Sequence, residues 1–155
     1  MDWIAILAIF ASLILIGFLS GLEIAFVSAN KLSIELNKKQ GTSSGKTWSA
    51  FSEKPTRFIG TILIGLNIVL VIYGLLIGDL LYPVWKSIES RLPASAADYV
   101  KFIRLFVETI LSTSIILFIE FLSKAFFRAR NNSILSSDFI SYIASFLYWL
   151  LSSLA

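Results

Sequence analysis

The chain has 155 residues, of which 57% are hydrophobic and only 15% charged, with a mean hydropathy of +0.83 and a formal net charge of +3. A soluble domain carries about 25% charged residues, so this is the composition of a membrane protein. The absence of cysteine and histidine excludes disulfides, thiol catalysis, His-based acid–base pairs and most zinc or copper sites.

Any metal site must therefore be built from oxygen, which suits Mg²⁺, Ca²⁺, Mn²⁺ or alkali ions. The basic residues lie in segments connecting long apolar runs, so the net charge carries no nucleic-acid footprint.

The first predicted helix covers about 3–28. Its apolar run from Trp3 to Leu22 has about 20 residues, enough to cross a bilayer. Met1-Asp2-Trp3 lacks the basic start of a cleaved signal peptide, so the helix is read as retained, with Asp2 preceding it and Trp3 in a headgroup belt. Gly17 and Gly21 form a GxxxG pair that admits a close neighbour, either a helix or a ligand. Ser20 and Glu23 are three apart and share a face. Two readings stay open for each. Ser20 either bonds back to a carbonyl one turn earlier or faces a ligand; Glu23 is either an interfacial carboxylate or a buried ligand.

Residues from about 30 to 54 are polar and basic, with Leu32, Ile34, Leu36, Trp48 and Phe51 interspersed. Short juxtamembrane helices at the membrane surface are predicted here. The lysines place this segment in the cytoplasm and the N-terminus outside. Gly41-Thr42-Ser43-Ser44-Gly45-Lys46-Thr47 looks like a phosphate loop but is one residue short of the Walker spacing and follows no strand, so it reads as a turn.

The second spanning helix is predicted over about 58–78, opening after Pro55 and containing no charge. Asn67 falls about 14 Å deep, at 1.5 Å per residue, where a primary amide needs a partner. An interhelical hydrogen bond and a ligand role are both open for it. Gly65 can expose a carbonyl, Gly74 and Gly78 repeat the GxxxG spacing, and Asp79 marks the outer end. Leu80 to Val100 is expected to be an external loop, with Pro83, Pro93 and a short amphipathic turn near Trp85.

A third spanning helix is predicted over about 102–127, with Glu108 in its outer half and Glu120 in its inner half. Thr113 lies two turns before Glu120 on the same face, and Glu120 and Lys124 have the spacing of a helix salt bridge worth a few tenths of a kcal/mol. The tail, about 133–154, is rich in serine and reads as a bent or interfacial juxtamembrane helix. The sequon Asn131-Asn132-Ser133 has no consequence on a cytoplasmic side. The fold expected is therefore an all-α polytopic membrane domain with three transmembrane helices.

Three patches carry a resemblance: Ser20-Gly21-Leu22-Glu23-Ile24-Ala25-Phe26-Val27-Ser28; Glu53-Lys54-Pro55-Thr56-Arg57-Phe58-Ile59-Gly60-Thr61-Ile62-Leu63-Ile64-Gly65-Leu66-Asn67; and Glu120-Phe121-Leu122-Ser123-Lys124. Their order and spacing resemble the transmembrane domain of the CNNM/CorC family of magnesium transport proteins. The resemblance implies a homodimer in a cell membrane, the bacterial inner membrane being the expected one, with a Mg²⁺ site in the inner half of the bundle. That site would use Ser20, the Gly65 carbonyl, Asn67 and Glu120, with Glu23 and Lys124 as secondary candidates. Members usually continue into cytoplasmic nucleotide-binding CBS domains, which this sequence lacks, so a truncated member or an excised transmembrane portion is expected. Leu22, Leu66 and Ser123 depart from the family pattern, the first two where an oxygen ligand could stand and the third where members carry proline.

The function expected is Mg²⁺ export by alternating access, with a Na⁺ gradient as the implied driving force. The alternative is a non-transporting membrane scaffold or assembly partner of an envelope complex. No enzyme is expected: a hydrolase here would need a Ser-Lys pair or paired aspartates, and Asp2, Asp79, Asp98 and Asp138 stand at or beyond helix ends.

Overall fold

A computed structural model of the protein describes residues 3–93 and 97–154. Asp2, expected to precede the first helix, and residues 94–96 of the expected loop lie outside the described residues. Every element described is helical: α1 Trp3–Val27, α2 Lys31–Lys39, α3 Ser43–Glu53, α4 Pro55–Glu89, α5 Ala97–Ala129, α6 Asn131–Ser136 and α7 Asp138–Ser152. Three of them, α1, α4 and α5, are long and apolar enough to cross a membrane. The protein is an all-α polytopic membrane protein.

Local chemistry sets the joints. The Ser28 hydroxyl closes α1 by donating to the Ile24 carbonyl at 2.6 Å, and two residues later Asn30 caps α2 by accepting the Leu32 amide at 3.0 Å. Gly41 adopts a φ of +78° just past α2, a left-handed turn that glycine makes without strain. Thr42 then caps α3, accepting the Gly45 amide at 3.2 Å and donating to the Asn37 carbonyl at 2.9 Å. Of the stretch that looks like a phosphate loop, only Gly41 and Thr42 form the hinge; Ser43 to Thr47 are already the start of α3.

Two spans run longer than expected. α4 covers Pro55–Glu89 rather than 58–78, and α5 covers Ala97–Ala129 rather than 102–127. Pro55 sits in the first turn, where its missing N–H is no loss. At the other end, Gly78-Asp79 does not stop α4, because Leu76, Ile77, Leu80 and Leu81 carry its apolar face onward against the core. Pro83 lies inside the extension. The Arg104 guanidinium of α5 stacks 5.5 Å from the Tyr82 ring, and Arg104 also pairs with Glu108 at 3.0 Å. The expected loop from Leu80 to Val100 is mostly helix.

The spans pack as α1 against both α4 and α5, so α1 is the central helix. Around the end where α1 and α5 finish and α4 begins, α2, α3, α6 and the start of α7 form a collar. Its centre is an aromatic cluster. Phe51 stacks on Phe58 with ring centroids 4.3 Å apart, Phe26 meets Phe58 at 4.6 Å, and Tyr148 meets Phe51 at 5.0 Å. Trp48 is buried among them. The collar is also sewn by polar bonds: the Ser44 amide donates to Asp138 Oδ1 at 2.9 Å, and Asn131 Nδ2 donates to the Ser28 carbonyl at 2.9 Å.

Candidate functional site

The positions marked in the sequence come from three different helices, and their heights can be compared. At about 1.5 Å per residue, Ser20 stands about 10 Å from the collar end of α1, and Glu120 about 14 Å from that of α5. Gly65 and Asn67 stand about 15 and 18 Å along α4. By this count all four lie in the collar-side half of their spans, over a range of about 8 Å.

Ser20 is the most unusual of them. It has no exposed surface, and its hydroxyl has no hydrogen-bond partner among the described residues. Ser12, Thr61, Thr109 and Ser114 each donate to the carbonyl four residues earlier, at 2.7–2.8 Å. Ser20 does not, although the same acceptor row runs past it. Leaving a buried hydroxyl unpaired costs about 1–3 kcal/mol. The reading of Ser20 as a back-bonded hydroxyl is corrected by this geometry.

Glu120 is partly buried and accepts from Lys124 Nζ at 3.2 Å, one turn on. Its charge is neutralised within its own helix. Asn67 lies on an open face of α4, and its amide nitrogen donates to the Leu63 carbonyl at 2.9 Å. This is an intrahelical bond, not the interhelical one considered above. Gly65 is buried because Leu151 of α7 sits against the face where its side chain would be. Glu23 is partly exposed near the end of α1.

No hydrogen bond or ion pair among the described residues joins any two of Ser20, Asn67 and Glu120. Nor do the described residues gather three carboxylates into a metal-holding group. The oxygens that the marked residues offer are therefore one carboxylate, one side-chain amide, one hydroxyl and one backbone carbonyl. That set suits Mg²⁺, which keeps several of its own waters and takes one or two protein carboxylates.

Comparison with protein families decides the identity. The family model for the cyclin M transmembrane N-terminal domain matches residues 6–155. The chain belongs to this family. Cyclin M domains are associated with transport of divalent cations, Mg²⁺ among them, and the family is one of membrane transport. Neither curated proteins nor solved structures provided a match.

The cyclin M match runs through the collar as well as the spans, so α2, α3, α6 and α7 are part of the domain. Two of the departures have a packing account. Leu22 and Leu66 are buried members of the apolar core, placed where a polar side chain would need a partner. The third, Ser123, fits against Gly17: a Cβ built on that glycine would lie 2.6 Å from the Ser123 hydroxyl.

Sequence reasoning missed the docking of α7 on Gly65 and the aromatic centre of the collar. The second had a signal in the spacing of Trp48 and Phe51, three apart on one helix face. Tyr73 was also passed over. A tyrosine inside a spanning helix, away from the usual aromatic belts, is itself a signal.

Proposed function

We propose that this cyclin M domain moves Mg²⁺ across a cell membrane, out of the cytoplasm, by alternating access. The observation that carries the reading is the buried, unpartnered Ser20 hydroxyl on the central helix, in the collar-side half of the spans with Glu120 and Asn67. The basic collar, with Lys31, Lys38, Lys39, Lys46, Lys54 and Arg57, favours a cytoplasmic location for that end and an outside N-terminus.

In this reading the ion enters from the collar side and takes Glu120, Ser20, Asn67 and the Gly65 carbonyl, with water completing the shell. Lys124 has a defined part. While no ion is bound, its ammonium compensates Glu120, so no lone carboxylate is held in a low-dielectric layer. An arriving dication replaces the ammonium, whose long stem can turn toward water. Outward movement against a gradient needs a driving force, and a Na⁺ gradient is the proposed one. A homodimer belongs to the same reading: no residue in the apolar window of α5 is fully buried within one protomer, and Asn67 is open on α4. In a full-length relative, cytoplasmic CBS domains would adjoin the collar.

The test is Mg²⁺-dependent thermal shift on the detergent-solubilised protein, followed by Mg²⁺ flux in proteoliposomes. Glu120→Ala is expected to abolish the shift, and Asn67→Ala and Ser20→Ala to weaken apparent affinity about tenfold, equivalent to about 1.4 kcal/mol each. Unchanged shifts in all three remove the site. A folded protein that gives no flux is instead a membrane scaffold.

A further inference from the structure

Within the spans, the buried polar side chains among the described residues are Ser12 and Ser20 on α1 and Thr61 and Tyr73 on α4. The apolar window of α5 contributes none. α1 and α4 pack directly on one another, and these hydroxyls are carried by the two helices that form that seam. Along that seam they fall at two levels. Thr61 and Ser20 stand about 9 and 10 Å from the collar ends of their helices, and Ser12 and Tyr73 about 22 and 27 Å. Between the levels lie Ile16 and Leu66, both apolar and buried.

Each level holds one hydroxyl that is bonded back to its own helix and one that is not. Ser12 and Thr61 donate to carbonyls at 2.8 Å, whereas the Ser20 and Tyr73 hydroxyls have no partner among the described residues. A tyrosine in an aromatic belt turns its hydroxyl to the headgroups. Tyr73 has no exposed surface and belongs to the core cluster with Ile9, Ile16 and Ile77. Phenylalanine would fill the same space without an unpaired polar atom, so packing alone does not account for the phenol.

We propose that Tyr73 is a second polar station on the ion's path: its hydroxyl accepts a hydrogen bond from the water shell of a hydrated divalent cation moving along the α1–α4 seam, away from the collar. The inference rests on the transport reading above and adds the route beyond Ser20. In the conformation described the seam is shut around Tyr73, and opening the far side supplies the missing partner. Tyr73 contributes to passage and not to loading, because it stands about 16 Å further along the seam than Ser20.

The experiment compares wild type and Tyr73→Phe in full-length form, measuring Mg²⁺-dependent thermal shift in detergent and Mg²⁺ flux in proteoliposomes. The variant is expected to keep the wild-type shift and the wild-type half-saturating Mg²⁺ concentration, to melt no lower than wild type without Mg²⁺, and to lose at least about fivefold in maximal flux. A purely structural tyrosine would leave maximal flux unchanged in a stably folded variant, and that result overturns the inference while leaving the transport reading intact. Wild-type liposomes without flux overturn both.

Discussion

Gly17 and Gly21 on α1 and Gly74 and Gly78 on α4 have the same four-residue spacing in similarly apolar helices, yet their surroundings are opposite. A Cβ built at Gly21 would lie 2.5 Å from the Phe127 ring, and one at Gly17 would lie 2.6 Å from the Ser123 hydroxyl. At Gly74 and Gly78 nothing comes within 4 Å. The difference comes from the facing helix. α5 presents Ile119, Ser123 and Phe127 at four-residue intervals against α1, with Phe127 edge-on to Phe18 at 6.0 Å, so small residues on one side accept large ones from the other. No described helix meets the second pair. A glycine spacing licenses close approach and does not choose the partner.

That contrast can be pushed hardest outside the membrane. Gly45 on α3 lies against the backbone of Asn37 and Lys38, which cannot rotate away as a side chain can. Gly45→Ala is expected to have the largest effect of the glycine series, about 3 kcal/mol, seen as a lowered melting temperature and faster amide exchange in α2. Gly21→Ala comes next, at about 2 kcal/mol, because the Phe127 ring has to be displaced. Gly17→Ala is expected to cost about 1 kcal/mol or less, since a serine hydroxyl can swing aside, and Ser123→Ala in the same chain should restore most of it. Gly74→Ala and Gly78→Ala are expected to raise stability slightly, by about 0.5–1 kcal/mol each, through helix propensity alone. A large loss at Gly74 or Gly78 would show that this face is covered in the working protein.

Much of the architecture was legible because it depends on run length and charge. The three apolar runs mark the three spans, and the stretch that opens at Gly41 does begin with a turn, at Gly41 itself. The far end of α4 was not legible. Gly78, Asp79 and Pro83 all read locally as stops, and the helix continues because Leu80 and Leu81 find core to pack on, which no local window contains. The candidate site divides in the same way. Ser20, Gly65, Asn67 and Glu120 were named from residue type, depth and the resemblance, and no bond among the described residues joins Ser20, Asn67 and Glu120. The Lys124 partner of Glu120 was legible in their four-residue spacing, whereas Leu151 on Gly65, the Leu63 carbonyl for Asn67 and the lack of a partner for Ser20 were not. Leu151 reaches Gly65 from a distant segment, and the states of Asn67 and Ser20 are set by the rotamers their neighbours allow.

The bond from the Ser44 amide to Asp138 joins positions 94 residues apart, and it sets an order of events during synthesis. At about 5–20 residues per second, the start of α3 waits roughly 5–20 s for the carboxylate that caps it. Throughout that interval Phe51 and Phe58 lack Tyr148 as a neighbour, and α4 and α5 must enter the bilayer while the collar is still open. A helix made late thus completes the packing of α3 and α4. Shortening the chain just before Asp138 would therefore leave membrane insertion largely intact and prevent the collar from closing.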